Sequence, residues 1–87
     1  MRKHYSTILK TFFYQNLIQT RLALGITREK MAETLVMDVR SFFNLDHGKN
    51  CCSALTLSLF LIYYCSDVES FLQELKEAFE NETDEIA

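Results

Sequence analysis

Tyr5, Ile8, Leu9, Phe12, Phe13, Leu17 and Leu24 recur at helical spacing along the first stretch of the chain, which lines them up on one face. The pattern predicts one long first helix over residues 5–24, and Tyr14 to Asn16 is where a kink or break would fall. Gly25 stops it, because a left-handed residue closes the last turn. Thr27 then caps a second helix, with Glu29 placed for its N-terminal dipole and Met31, Ala32 and Leu35 turned inward. Only Val36 and Met37 follow before Asp38, whose carboxylate can accept the free amides of a third helix. That helix runs to about Asp46 and ends at Gly48.

Ser53 can cap a fourth helix reaching about Tyr64, apolar nearly all round and therefore expected at the centre of the core. Ser66 opens Ser-Asp-Val-Glu, a capping box closed by Glu69. Val68, Phe71, Leu72, Leu75, Ala78 and Phe79 then mark one face of a fifth helix. From Glu80 the chain is polar and acidic and is expected to fray. The prediction is therefore an all-α, five-helix domain over residues 1–79, with an acidic tail over 80–87.

Composition agrees with this pattern. The chain has 87 residues, 48% of them apolar, with no proline and two glycines. That is one small domain with too few breakers to turn many strands. The net charge of −3 is unevenly divided. Residues 1–50 hold eight Lys/Arg against four acids, +4, and residues 51–87 hold Lys76 against eight acids, −7. A basic half joined to an acidic one fits either a polyanion-binding face with a solvating tail or ordinary surface charge.

Three cysteines, Cys51, Cys52 and Cys65, make no even disulfide framework. With a polar-interrupted N-terminal stretch that is no signal-peptide core, they suggest a reduced, cytoplasmic setting. The charge-free run Cys51–Ser66 is 16 residues long, short for a membrane span. Catalytic chemistry has little support: His4 and His47 belong to no nucleophile motif, and His47 beside Cys51 is an isolated pair. The cysteine spacing also lacks the C-x-x-C arrangement that lets two thiolates share a zinc ion. No enzyme activity, metal or cofactor is expected.

The stretch GITREKMAETLVMDVRSFFNLDHGK, Gly25 to Lys49, resembles the helix-turn-helix of the phage-repressor-like (XRE) family. Gly25, Ile26, Thr27, Glu29, Met31, Ala32, Leu35, Phe42, Leu45, Asp46, Gly48 and Lys49 fall in its register, and the resemblance extends over roughly residues 17–79. It implies a lambda repressor-like domain with the helix-turn-helix at about residues 27–46. It also implies a sequence-specific DNA-binding transcriptional regulator whose third helix, about 38–46, enters the major groove of double-stranded DNA. Val39, Arg40 and Asn44 would then contact bases, and Thr27, Arg28, Ser41 and Lys49 phosphates. Such domains pair on half-sites, which makes Phe71, Leu75 and Phe79 on the fifth helix, and the aromatic Tyr63–Tyr64 end of the fourth, candidates for a homodimer surface.

The chain also departs from the family pattern. Val36 stands where the family carries glycine in the turn, Arg28 where it carries glutamine, and the proline often found after Gly-Lys is missing. Overall acidity, with Phe43 on the outer arc of the third helix, leaves an alternative: an antitoxin-like or other protein-interaction module on the same fold.

Overall fold

The computed structural model describes the backbone of residues 2–86 and the side chains of residues 4–81. Five helices follow in order: α1 (Arg2–Leu24), α2 (Arg28–Thr34), α3 (Val39–Asp46), α4 (Ala54–Tyr63) and α5 (Val68–Ile86). No strand occurs among the described residues, and none of these helices is long and apolar enough to cross a membrane.

The helix starts follow from local chemistry. A first turn leaves amides without intrahelical partners, and a short polar side chain just ahead can accept from one. Thr27 Oγ1 accepts from the Lys30 amide at 3.1 Å, Asp38 Oδ1 from Ser41 at 2.7 Å, and Ser53 Oγ from Thr56 at 3.1 Å. At α5 the cap is Asp67 rather than Ser66: its Oδ1 accepts from the Ser70 amide at 3.0 Å and its carbonyl from Phe71 at 3.1 Å. An ionised carboxylate makes the stronger bond to an amide than a hydroxyl does. The Ser70 amide, and after it the Ser70 hydroxyl, hold the Asp67 carboxyl below the ordinary carboxylate value. α5 also continues past Glu80 to Ile86, through residues that include good helix formers and neither glycine nor proline.

Three helix ends share one hydrogen-bond pattern. After α1, Gly25 N–H donates to the Leu22 carbonyl and Ile26 N–H to Arg21. After α2, Val36 donates to Glu33 and Met37 to Ala32, and after α3, Gly48 donates to Leu45 and Lys49 to Asn44. This is the Schellman closure, which needs a left-handed residue at its pivot. Gly25 and Gly48 supply it at φ of 65° and 69°, and Val36 is forced into it at 54°. The turn between α2 and α3 therefore keeps the backbone that a glycine would adopt, with a β-branched residue in it.

α1 is a single helix. Asn16 Nδ2 donates to its own helix's Phe12 carbonyl at 2.9 Å, so the amide is absorbed locally rather than breaking the ladder. All five helices feed one core: Phe13 and Leu17 from α1, Met31, Ala32 and Leu35 around α2, Phe42 and Leu45 from α3, Phe60 from α4 and Phe71 from α5. Phe13 meets Phe60 edge-on at 5.1 Å and Phe12 meets Phe71 edge-on at 5.2 Å, the arrangement that aromatic quadrupoles favour.

Two expectations about packing are corrected. α4 is not central: its buried residues are Thr56 and Phe60, while Leu55, Ile62 and Tyr63 stand in solvent. A short helix on the outside of a small domain gives one face to the core, whatever its other faces carry. On α5, Phe71 and Leu75 are buried in the chain's own core and Phe79 packs edge-on against Tyr5 at 5.2 Å. Those side chains are thus spent within the monomer, while Val68 and Leu72 of the same stripe stay 38% and 48% exposed.

Candidate nucleic-acid interface

The pair α2 and α3 is anchored from behind. Ala32 on α2 is 1% exposed, α2 packs on α3, and Phe42 and Leu45, three residues apart, are buried. With those side chains fixed inward, Val39, Arg40, Ser41 and Phe43 are turned to solvent and Asn44 is half-buried. Arg40 and Asn44 are four residues apart and so neighbours on one helical face. No described residue forms an ion pair with Arg40, so its guanidinium is free to meet an acceptor from outside.

The remaining expected contacts carry internal duties. Thr27 Oγ1 and Ser41 N–H are engaged in capping, and Ser41 Oγ donates to Asp38 Oδ2 at 3.2 Å. Those Ser41 bonds, the amide first, hold the Asp38 carboxyl below its ordinary 3.8, so the exposed N-terminus of α3 carries a negative charge at neutral pH. Lys49 is exposed, with Nζ 5.6 Å from the centre of the Phe43 ring, within cation–π range. Phe43 in turn stacks on His47 at 3.9 Å, and His47 Nδ1 lies 2.9 Å from the Phe43 carbonyl oxygen.

Arg28 is half-tethered. Its Nε donates to Asp46 Oδ2 at 3.0 Å, and its side chain is 45% exposed. Asp46 itself is 2% exposed at the end of α3, with Arg21 Nη2 at 3.8 Å from the same oxygen. Two arginines, from α1 and α2, thus converge on one buried carboxylate and tie the three helices together. Nothing local in the sequence pairs these groups, since Arg28 and Asp46 lie 18 residues apart. The Phe43–His47 stack was legible as an i, i+4 pair on a helix.

The cysteines are free and half-buried. Burial, and then the neighbouring Cys51, push the Cys52 thiol up to about 12, so it is neutral and unreactive at physiological pH. Among the described residues no group of three or more His, Cys, Asp or Glu is arranged to hold a metal ion.

Comparison with protein-family models, with curated proteins and with solved structures returns no match.

Proposed function

We propose that this chain is a repressor-like helix-turn-helix protein that binds double-stranded DNA and regulates transcription, with α3 entering the major groove. One observation carries the reading. α3 is gripped from behind by Phe42 and Leu45, while Arg40 stands in solvent with no ion pair to any described residue. The left-handed turn at Val36 and the register over Gly25–Lys49 support it.

In this reading Arg40 donates to the acceptor edge of a guanine, Asn44 reads a neighbouring base and Val39 meets a thymine methyl. Lys49 and Thr27 approach phosphates. Arg28 brings only its η nitrogens, because Nε is held by Asp46. Ser41 brings what its bonds to Asp38 leave over.

The test is selection from a randomised duplex library at two salt concentrations. A single enriched motif is expected, with affinity falling along a shallow salt slope that reflects few phosphate contacts. Arg40→Ala should cost about 1–3 kcal/mol at the selected site and relax preference at one base pair. No enrichment at low salt refutes the reading.

A protein-interaction role is favoured by a different observation on the same face. Val36, Val39 and Phe43 are 73%, 48% and 41% exposed beside the ionised Asp38. A protein partner covering α3 would use those apolar groups, and the library would then return no motif.

A further inference from the structure

Between α1 and α5 the packing leaves a cavity of about 320 Å³, away from α3. Its lining includes His4, Ile8, Thr11, Phe12 and Gln15, which helical spacing sets along one face of α1, and Ala78 from α5. Space opens there because of what α5 offers. Leu75 is buried and Phe79 packs on Tyr5, but Ala78 beside them brings only a methyl group. Ile8 is buried and Phe12 and Ala78 half-buried, so they form the floor, while Thr11 and Gln15 are exposed at the mouth. None of the lining side chains is Lys, Arg, Asp or Glu. One polar atom at this site is unmatched: His4 Nε2 is buried, and no described residue hydrogen-bonds to it. A buried polar atom without a partner is costly and calls for an explanation.

We propose that this cavity binds a small neutral aromatic molecule of the phenol class, its ring on Ile8, Phe12 and Ala78 and its hydroxyl bonded to His4 Nε2. Size, charge and the unmatched nitrogen name the ligand. Ligand cavities begin at about 300 Å³, so this one takes a single ring or two fused ones. An ammonium or carboxylate would give up its water with no counter-charge on the wall. The Phe12 ring offers an aromatic guest an offset or edge contact. A hydroxyl both donates and accepts, so it serves either tautomer of the imidazole. The χ2 torsion of histidine is broad, and a small rotation turns Nε2 toward the guest. The proposal does not depend on the DNA reading and is tested without DNA.

The probes are 4-methylphenol, toluene, which lacks the hydroxyl, and 4-methylbenzoate, which is anionic. They are titrated into the full chain to about 5 mM and followed by amide nuclear magnetic resonance. 4-Methylphenol should bind one to one with a dissociation constant of about 0.1–1 mM, moving the amides of Thr11, Gln15 and Ala78. Toluene and 4-methylbenzoate should bind about tenfold more weakly. His4→Phe keeps a ring and loses the nitrogens, so it should abolish the preference for 4-methylphenol over toluene. Ala78→Leu fills the cavity and should abolish binding, with helical circular dichroism unchanged. Absence of saturable shifts in wild type overturns the proposal, as do shifts centred on α3 or α4. Equal binding of toluene, or a preference that survives His4→Phe, overturns the bond to His4. Equal or tighter binding of 4-methylbenzoate overturns the neutral class, and binding that survives Ala78→Leu overturns the site.

Discussion

Replacing Val36 with glycine should make the protein more stable, although it deletes a side chain. Val36 holds a φ of 54° at the pivot of the α2 closure, where α1 and α3 carry glycine in the same role. The left-handed conformation costs an L-residue roughly 1–2 kcal/mol, and a β-branched one lies toward the upper end. Glycine removes that cost. Against it stands the wider freedom of glycine in the unfolded chain, about 0.7 kcal/mol. The side chain is 73% exposed, so only about a quarter of the roughly 2 kcal/mol available to a fully buried valine is lost, about 0.5 kcal/mol. The balance is a gain of about 0.5–1 kcal/mol, which in a domain of this size raises the melting temperature by about 2–8 °C. Thermal and urea unfolding followed by far-ultraviolet circular dichroism measure it, with the urea slope unchanged. Val36→Ala, which keeps a Cβ but loses the branch, should fall between the two. A Val36→Gly protein that melts at or below wild type refutes the strain argument.

Three further substitutions follow from the packing. At Gly48 an added Cβ would lie 2.9 Å from Tyr14 Cδ2, whereas at Gly25 nothing lies within 4 Å. Gly48→Ala should therefore cost about 2–3 kcal/mol and Gly25→Ala about 1 kcal/mol; equal losses in urea would remove the Tyr14 contact from the account. Asp46→Ala strands the mostly buried Arg21 and should cost about 3 kcal/mol, while Arg28→Ala, which removes a half-exposed partner, should cost about 1 kcal/mol; a reversed order in denaturant titrations would contradict the cluster geometry. The Cys52 thiol, raised from 9.0 to about 12, is kept protonated by folding, so its contribution is complete below pH 9 and lost as pH rises toward 12. The urea midpoint of wild type should fall over that window more than that of Cys52→Ala, and matching pH profiles would refute the assignment.

Much of this architecture is decided within a turn or two of chain, and that part is legible in the sequence. Thr27, Asp38 and Ser53 each reach an amide three residues on, and Gly25 and Gly48 end helices because the closure there needs a left-handed residue. Phe42 and Leu45 on α3 turn inward as their spacing requires. The α5 cap was harder to place because Ser66 and Asp67 are adjacent capping residues, and the stronger acceptor at Asp67 prevails. What the sequence could not decide is what covers each apolar or charged face. Periodicity marks a stripe on α5 but does not say that Phe71 and Leu75 fill the chain's own core rather than a partner's. It marks α4 as apolar all round, yet only the packing leaves Leu55, Ile62 and Tyr63 outside. Arg28 reads as a free cation until α3 brings Asp46 to within 3.0 Å of it. A side chain's partners across helices are set by how the elements dock, and only tertiary structure carries that information.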